Sequence, residues 1–159
     1  MTSHLSKTSC TLGLTMTMAM CMGMAGQAMA MEPAVVALTQ TGCQFLEPEH
    51  GEDHGFETQS AADCKRFNAN TATQRLADAK VLELKAGDYV FRVANKNVPY
   101  ELGFWLRGMG LKRLALPSVS GGGIHTGGSR DYAISLKPGE YLYSCPLNPT
   151  PDYKLVVKQ

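Results

Sequence analysis

After its first thirty residues, this chain of 159 residues has neither a long apolar run nor an excess of charge of one sign. No later segment approaches the roughly 20 consecutive apolar residues of a membrane-spanning helix, so we expect no membrane insertion of the mature chain. Lys7 is the one basic residue in 1–30, which leaves 14 basic and 14 acidic residues in 31–159. Zero net charge argues against a nucleic-acid partner, because basic side chains must neutralise the phosphates. It also gives no sign of electrostatic membrane binding.

Residues 1–30 have the pattern of a secretory signal peptide. Lys7 precedes an uncharged stretch over 8–29, and the small residues at 28 and 30 fit a signal-peptidase site. We therefore expect cleavage before Met31 and a periplasmic or secreted protein.

The polar part of the mature chain is 31–80. It begins with a predicted strand over 35–45 and continues into an acidic, exposed loop over 47–59. Ser60 with Asp63 three positions later is typical of a helix N-terminus. We predict one or two short helices here, a first to about residue 67 and a further turn over 73–79.

Residues 81–159 carry the β signals. The pattern Leu-Lys-x-Gly-acid-Tyr occurs at 84–89 and again at 136–141, each time between apolar alternating runs, and predicts two equivalent corners of a sandwich. Another strand is predicted over 101–106, and the glycine-rich stretch 118–129 is predicted to be a flexible loop. We expect an all-β Greek-key sandwich in which 31–80 and 81–159 form one domain, the size expected of a single core.

Two segments of this β-rich part resemble the cupredoxin (blue-copper) family. They are Asn95-Lys96-Asn97-Val98-Pro99-Tyr100-Glu101-Leu102 and Leu136-Lys137-Pro138-Gly139-Glu140-Tyr141-Leu142-Tyr143-Ser144-Cys145. The resemblance implies a copper site whose thiolate is Cys145. The family's two histidine ligands fall at Tyr100 and Asn148, and the residues that follow supply no axial methionine.

The substitutions at these positions change the chemistry of the implied site. Blue-copper sites combine imidazole nitrogens with a soft thiolate. The phenol of Tyr100 must lose its proton to bind well, and the amide of Asn148 offers a hard oxygen, so Cys145 is the one good ligand. The sequence argues against an ordinary blue-copper carrier, and copper is retained as the cofactor that the resemblance implies.

Three cysteines follow residue 31: Cys43, Cys64 and Cys145. In an oxidising compartment two of them should form a disulfide and leave one thiol. Cys43 and Cys64 flank the acidic loop and are the preferred pair, which leaves Cys145 unpaired, as the resemblance requires. The alternative is that Cys145 is a small buried hydrophobe.

The histidines offer two weaker candidates. His50 and His54 lie among carboxylates and are compatible with a loose metal site, but a solvated acidic loop is the preferred interpretation, because nothing in the sequence makes the segment rigid. His125 lies in the glycine-rich stretch, from which it could approach Cys145. A hydrolytic set of Cys145, His125 and Asp131 lacks the strand–turn–helix nucleophile elbow, so we expect no enzyme.

These features lead to two hypotheses on function. The first is an exported cupredoxin-like binding protein with a noncanonical or lost copper site, which handles metal or contacts another exported protein. The alternative is a periplasmic copper electron-transfer protein with unusual ligands. Fold resemblance alone does not choose between them.

Overall fold

The computed structural model describes residues 32–159, which form one compact unit. The predicted signal peptide, 1–30, lies outside the described residues. The described chain contains nine strands and one α-helix. The strands are Ala34–Thr41 (β1), Gln44–Phe45 (β2), Leu82–Lys85 (β3), Gly87–Asn95 (β4), Leu102–Gly108 (β5), Val119–Ile124 (β6), Ser129–Leu136 (β7), Gly139–Ser144 (β8) and Tyr153–Lys158 (β9); the helix is Ala61–Asp78 (α1) and a 3₁₀ helix spans Gly110–Leu114.

The strands form two sheets, which confirms the predicted all-β sandwich. The first sheet has the order β2-β1-β4-β7 and the second the order β3-β9-β8-β5-β6. The pairs β1 with β4 and β3 with β9 are parallel, and the other pairs are antiparallel. No helix among residues 32–159 is long and apolar enough to cross a membrane.

The two Leu-Lys-x-Gly-acid-Tyr repeats are equivalent corners, as predicted. The first repeat joins β3 of the second sheet to β4 of the first, and the second repeat joins β7 of the first sheet to β8 of the second. Gly87 and Gly139 begin the strands after the corners with φ values of +153° and +157°, a conformation that favours glycine. At the second corner Tyr141 donates its hydroxyl proton to the carbonyl of Lys137 over 2.8 Å.

The core between the sheets is rich in aromatic side chains. The rings of Phe45, Phe104, Tyr143 and Tyr153 pack in edge-on and tilted pairs with centroids 5.6–6.4 Å apart. Such geometries suit the ring quadrupoles and add to the burial of apolar surface. Cys145 belongs to the same buried cluster as these rings.

The helix is longer than predicted. A single 18-residue helix, α1, replaces the short helix and separate turn. Its predicted start is confirmed, because the carboxylate of Asp63 accepts the backbone N–H of Ser60 over 3.0 Å. The length was missed because α1 has no apolar stripe: its two buried residues are Cys64 and Arg75.

The glycine-rich stretch is a strand rather than a flexible loop. Residues 119–124 form β6, which pairs with β5 at the edge of the second sheet. A side chain at Gly121 would meet the ring of Tyr132 at 3.1 Å, and one at Gly103 would meet the carbonyl of Gly121 at 2.7 Å. Close packing, which requires glycine here, explains the composition that suggested flexibility.

Candidate site around Cys145

Cys145 lies directly after β8 and turns its side chain into the sandwich. Alternation along a strand puts Tyr141, Tyr143 and Cys145 on one face. All three are buried, and Cys145 is 1% exposed. The thiol therefore faces the core instead of offering a surface nucleophile.

Backbone amides surround the sulfur of Cys145. Gly103 and Asn148 donate their N–H groups to Sγ over 3.3 and 3.2 Å. Burial raises the pKa of the Cys145 thiol above its ordinary value and outweighs these donors, which act in the opposite direction. The hydroxyl of Thr150 accepts the N–H of Cys145 over 3.0 Å and closes the loop. Cys145 is thus a neutral thiol at ordinary pH, held by its own loop.

Asn148 is fully buried and connects three parts of the chain. Its Nδ2 donates to the carbonyl of Thr41 over 2.9 Å. Its Oδ1 accepts the N–H of Cys43 over 3.0 Å and lies 3.2 Å from the hydroxyl of Tyr100. Both ends of the amide are therefore engaged inside the protein.

Tyr100 approaches the same amide from the segment before β5. Its hydroxyl lies 3.1 Å from Oγ1 of Thr58 and 3.2 Å from Oδ1 of Asn148, so its single proton has two acceptors. Burial raises the pKa of Tyr100, which keeps the phenol protonated and disfavours its use as an anionic ligand.

A disulfide joins Cys43 and Cys64 against these residues. Sγ of Cys64 lies 2.9 Å from Oδ1 of Asn148 and 3.9 Å from the hydroxyl of Tyr100. We call Tyr100, Cys145, Asn148 and the Cys43–Cys64 disulfide the disulfide cluster. The structure thus brings together the three positions that the resemblance assigned to a metal, with an oxidised sulfur pair packed against them.

The disulfide cluster does not fit a blue-copper ion. Such a site needs a thiolate and imidazole nitrogens, whereas the cluster presents a neutral thiol, a neutral phenol and an amide oxygen that already accepts a backbone N–H. Met109, the one methionine after residue 31, follows the far end of β5 from Gly103 and supplies no thioether. Among residues 32–159 no three His, Cys, Asp or Glu side chains are placed to hold a metal ion.

The acidic loop is anchored, which the sequence did not predict. Glu49 is 5% exposed. Its carboxylate accepts a hydrogen bond from Nη2 of Arg75 over 2.6 Å and another from the hydroxyl of Tyr153. Nε2 of His54 lies 2.6 Å from the same carboxylate. His50 instead contacts the carbonyl of Asp78 over 2.9 Å. The two histidines are therefore not arranged around a common ion, and the loop is not a freely solvated one.

The other sequence candidates lie apart from the disulfide cluster. His125 is exposed in the turn after β6. Asp131 forms a two-pronged ion pair with Arg92, with distances of 2.8 and 2.7 Å. Cys145 hydrogen-bonds to neither residue within the described part of the chain, so the hydrolytic set that we considered on sequence grounds and set aside is not assembled there.

Sequence reasoning missed the polar face of α1. Cys64, Asn68, Thr71 and Arg75 recur at intervals of four, three and four residues, the spacing of one helix face. Arg75 donates from Nη1 to Oδ1 of Asn68 over 2.6 Å, and Asn68 donates to the carbonyl of Pro149. The signal was present as a helical period of polar residues, a pattern that hydrophobic periodicity overlooks.

No protein-family model matches the sequence, and no curated protein does. Among solved structures, auracyanin B superposes with a TM-score of 0.50 at 14% identity, over 82% of this chain and 93% of that one. Amicyanin from Paracoccus versutus gives 0.42 at 16% identity, over 82% and 87%. Auracyanin A, a "blue" copper protein from Chloroflexus aurantiacus, gives 0.40 at 14% identity, over 80% and 100%. The likeness to auracyanin B shows the fold, and the resemblance to cupredoxins is confirmed at that level.

Proposed function

We propose that this protein is an exported cupredoxin-fold binding protein in which the disulfide cluster replaces the copper centre. The observation that carries the proposal is the contact between Asn148 and the Cys43–Cys64 disulfide. An amide that accepts the N–H of Cys43 and lies 2.9 Å from Sγ of Cys64 ties the loop after Cys145 to a covalent crosslink. The Asn148 amide therefore acts as a structural support for the loop rather than as a metal ligand.

The support leaves the adjacent surface available for a partner. A groove of about 330 Å³ runs beside the loop after Cys145, between Trp105 and Leu147. Leu147 is 44% exposed, and Gly122 forms part of the floor, where a side chain would meet Glu101 at 2.7 Å and Leu147 at 3.6 Å. A rigid apolar groove suits one or two apolar side chains of another exported protein. We assign the protein a binding role and no enzymatic one.

The alternative function, copper electron transfer with unusual ligands, has one observation in its favour. Two backbone N–H groups point at Sγ of Cys145, and such donors stabilise a thiolate once a cation displaces its proton. In that case the disulfide cluster would have to open around the ion. The two functions differ in whether Cys145 binds copper.

The test is copper loading of the full chain and of its Cys145→Ala variant. Each protein is incubated with Cu(I) under reducing conditions that leave the disulfide intact, washed, reoxidised in air, and examined for metal content and visible absorption. We expect no intense blue band and no copper that depends on Cys145, because no imidazole accompanies the thiol. An intense band, or stoichiometric copper that is lost in Cys145→Ala, would establish the alternative and refute the proposal.

A further inference from the structure

The 3₁₀ helix after β5 displays two leucines to solvent. Leu111 is 101% exposed and Leu114 is 95% exposed, whereas the other large apolar side chains on the described surface are at most 54% exposed. In a 3₁₀ helix residues three apart lie on the same side, so the two leucines form one apolar face. We call Gly110–Leu114 the leucine tip.

The base of the leucine tip is fixed to the sandwich. Met109 donates its N–H to the carbonyl of Glu140 over 2.8 Å. Leu116 packs on the core, where side chains at Gly108 or Gly139 would approach it to 2.9 Å. The leucines are therefore held outward by an anchored base and cannot fold back onto the core without breaking these contacts.

The segment of the chain that contains the leucine tip carries basic side chains and no carboxylates. Residues 102–130 contain no Asp or Glu but include Arg107, Lys112, Arg113 and Arg130. Arg107 is paired with Asp152 over 2.8 Å, whereas within the described residues no carboxylate forms an ion pair with Arg113. Zero net charge over 31–159 thus conceals a basic stretch of sequence, in which the exposed Arg113 lies between the two leucines along the chain.

We propose that the leucine tip docks reversibly on an anionic lipid surface. Apolar side chains beside basic ones complement acyl chains beneath anionic headgroups. A stable protein interface takes about 20–30 residues from each partner, far more than a five-residue tip offers, whereas membrane docking needs only a few inserted side chains. The proposal departs from the expectation that electrostatic membrane contact is absent, and it requires no membrane-spanning segment.

The expected strength is that of a weak, reversible anchor. Transfer of one exposed leucine side chain to an apolar phase improves partitioning by about tenfold or more. Each basic residue near an anionic surface increases the membrane partition coefficient by about fivefold. Two leucines and Arg113 together give about five-hundredfold. The tip is at the opposite end of β5 from Gly103 and the disulfide cluster, so the proposal stands independently of the proposed function.

The test measures the fluorescence of a tryptophan placed in the leucine tip of the full chain. Leu114→Trp is made in a Trp105→Phe background, so that the new indole is the one tryptophan. We expect its fluorescence to shift to the blue on addition of vesicles of phosphatidylglycerol and phosphatidylcholine at 3:7, and much less with phosphatidylcholine alone. Val35→Trp in the same background is the matched control, since Val35 is 54% exposed on β1, and it should not shift.

Two further variants separate the apolar and charged contributions. In the Leu114→Trp background, Leu111→Ser should weaken vesicle binding about tenfold and Arg113→Gln about fivefold, with a further loss at high salt. Absence of the shift with anionic vesicles, an equal shift with phosphatidylcholine, or unchanged binding of both variants would each overturn the proposal. Capture of the tip by a purified exported protein without any vesicle-induced shift would overturn it as well.

Discussion

At the scale of single residues, Asn148 explains why an imidazole is missing from the loop after Cys145. The carboxamide donates to Thr41 and accepts the N–H of Cys43, with the hydroxyl of Tyr100 also in reach. A neutral imidazole has one donor and one acceptor nitrogen, and the acceptor has a single lone pair. Asparagine is therefore suited to a closed hydrogen-bonded support, whereas histidine is suited to a metal.

Replacing Asn148 tests this structural role. Asn148→Ala leaves the buried N–H of Cys43 without its side-chain acceptor and removes one donor from the carbonyl of Thr41, which should lower the free energy of unfolding by about 2 kcal/mol. The measurement is urea denaturation at pH 7. The control is Asn97→Ala, an exposed asparagine outside the cluster, which should change stability little. Equal effects of the two substitutions would contradict the role given to Asn148.

The sequence predicted that Cys145 shares a strand face with Tyr141 and Tyr143, because alternation along a strand depends only on local geometry. The burial of Cys145 was the alternative to its role as a metal ligand. The sequence also predicted the neighbourhood of Tyr100, Cys145 and Asn148, through the resemblance. It did not predict that Asn148 contacts the disulfide. That contact joins positions 84 residues apart, and no local pattern encodes it.

At the scale of elements, α1 docks on the sandwich through polar groups. Arg75 and Glu49 are 7% and 4% exposed in their side chains, and the guanidinium also reaches the carbonyl of Cys43. A buried ion pair of this kind adds little net stability, but loss of one partner leaves an uncompensated charge. This polar docking explains why hydrophobic periodicity failed to find the full helix.

The pair is tested by a double-mutant cycle. Arg75→Met should lower the free energy of unfolding by about 3 kcal/mol, because it leaves the Glu49 carboxylate buried without its cation. The double variant Glu49→Gln, Arg75→Met should recover most of that loss, because no charge then remains buried. Denaturation in urea at pH 7 measures both. Additive losses in the double variant would show that the two side chains act independently.

Lowering the pH should reduce the stability that the Glu49–Arg75 pair contributes to the docking of α1. Burial alone raises the pKa of Glu49, but the hydrogen bonds from Arg75 and Tyr153 outweigh it and hold the pKa below its ordinary value of 4.5. A lowered folded-state pKa contributes stability that is complete above the unfolded value and is lost as the pH falls through the folded value. The stability gap between wild type and Glu49→Gln should therefore narrow below about pH 4.5.

The strands and the glycine-rich segment show what element-level prediction can and cannot reach. Alternating side chains predicted β4, β5, β7 and β8 because each buries one face. In β6 the glycines at 121–123 carry no side chain that could alternate. Their role is visible only in the packing, where Gly121 lies under the ring of Tyr132.

At the scale of the whole molecule, the N-terminal part is bound to the sandwich at both of its ends. β1 pairs with β4 in the first sheet, and the Cys43–Cys64 disulfide holds the start of α1 against the loop after Cys145. The intervening acidic loop is closed by this crosslink and by the buried pair of Glu49 and Arg75. Residues 32–159 consequently share one core and should unfold together.

Removal of the disulfide should lower the stability of the whole domain. The crosslink closes a loop with a sequence separation of 21, for which the loss of chain entropy in the unfolded state is worth about 3 kcal/mol. Cys43→Ala with Cys64→Ala should show this loss in urea denaturation, and helical circular dichroism should fall before the tertiary signal, because α1 loses its covalent anchor. Cys145→Ala removes a sulfur from the same region without breaking a crosslink, and its smaller loss provides the control. If the double alanine variant were as stable as wild type, with α1 unfolding together with the sandwich, the disulfide could not be what holds the helix in place.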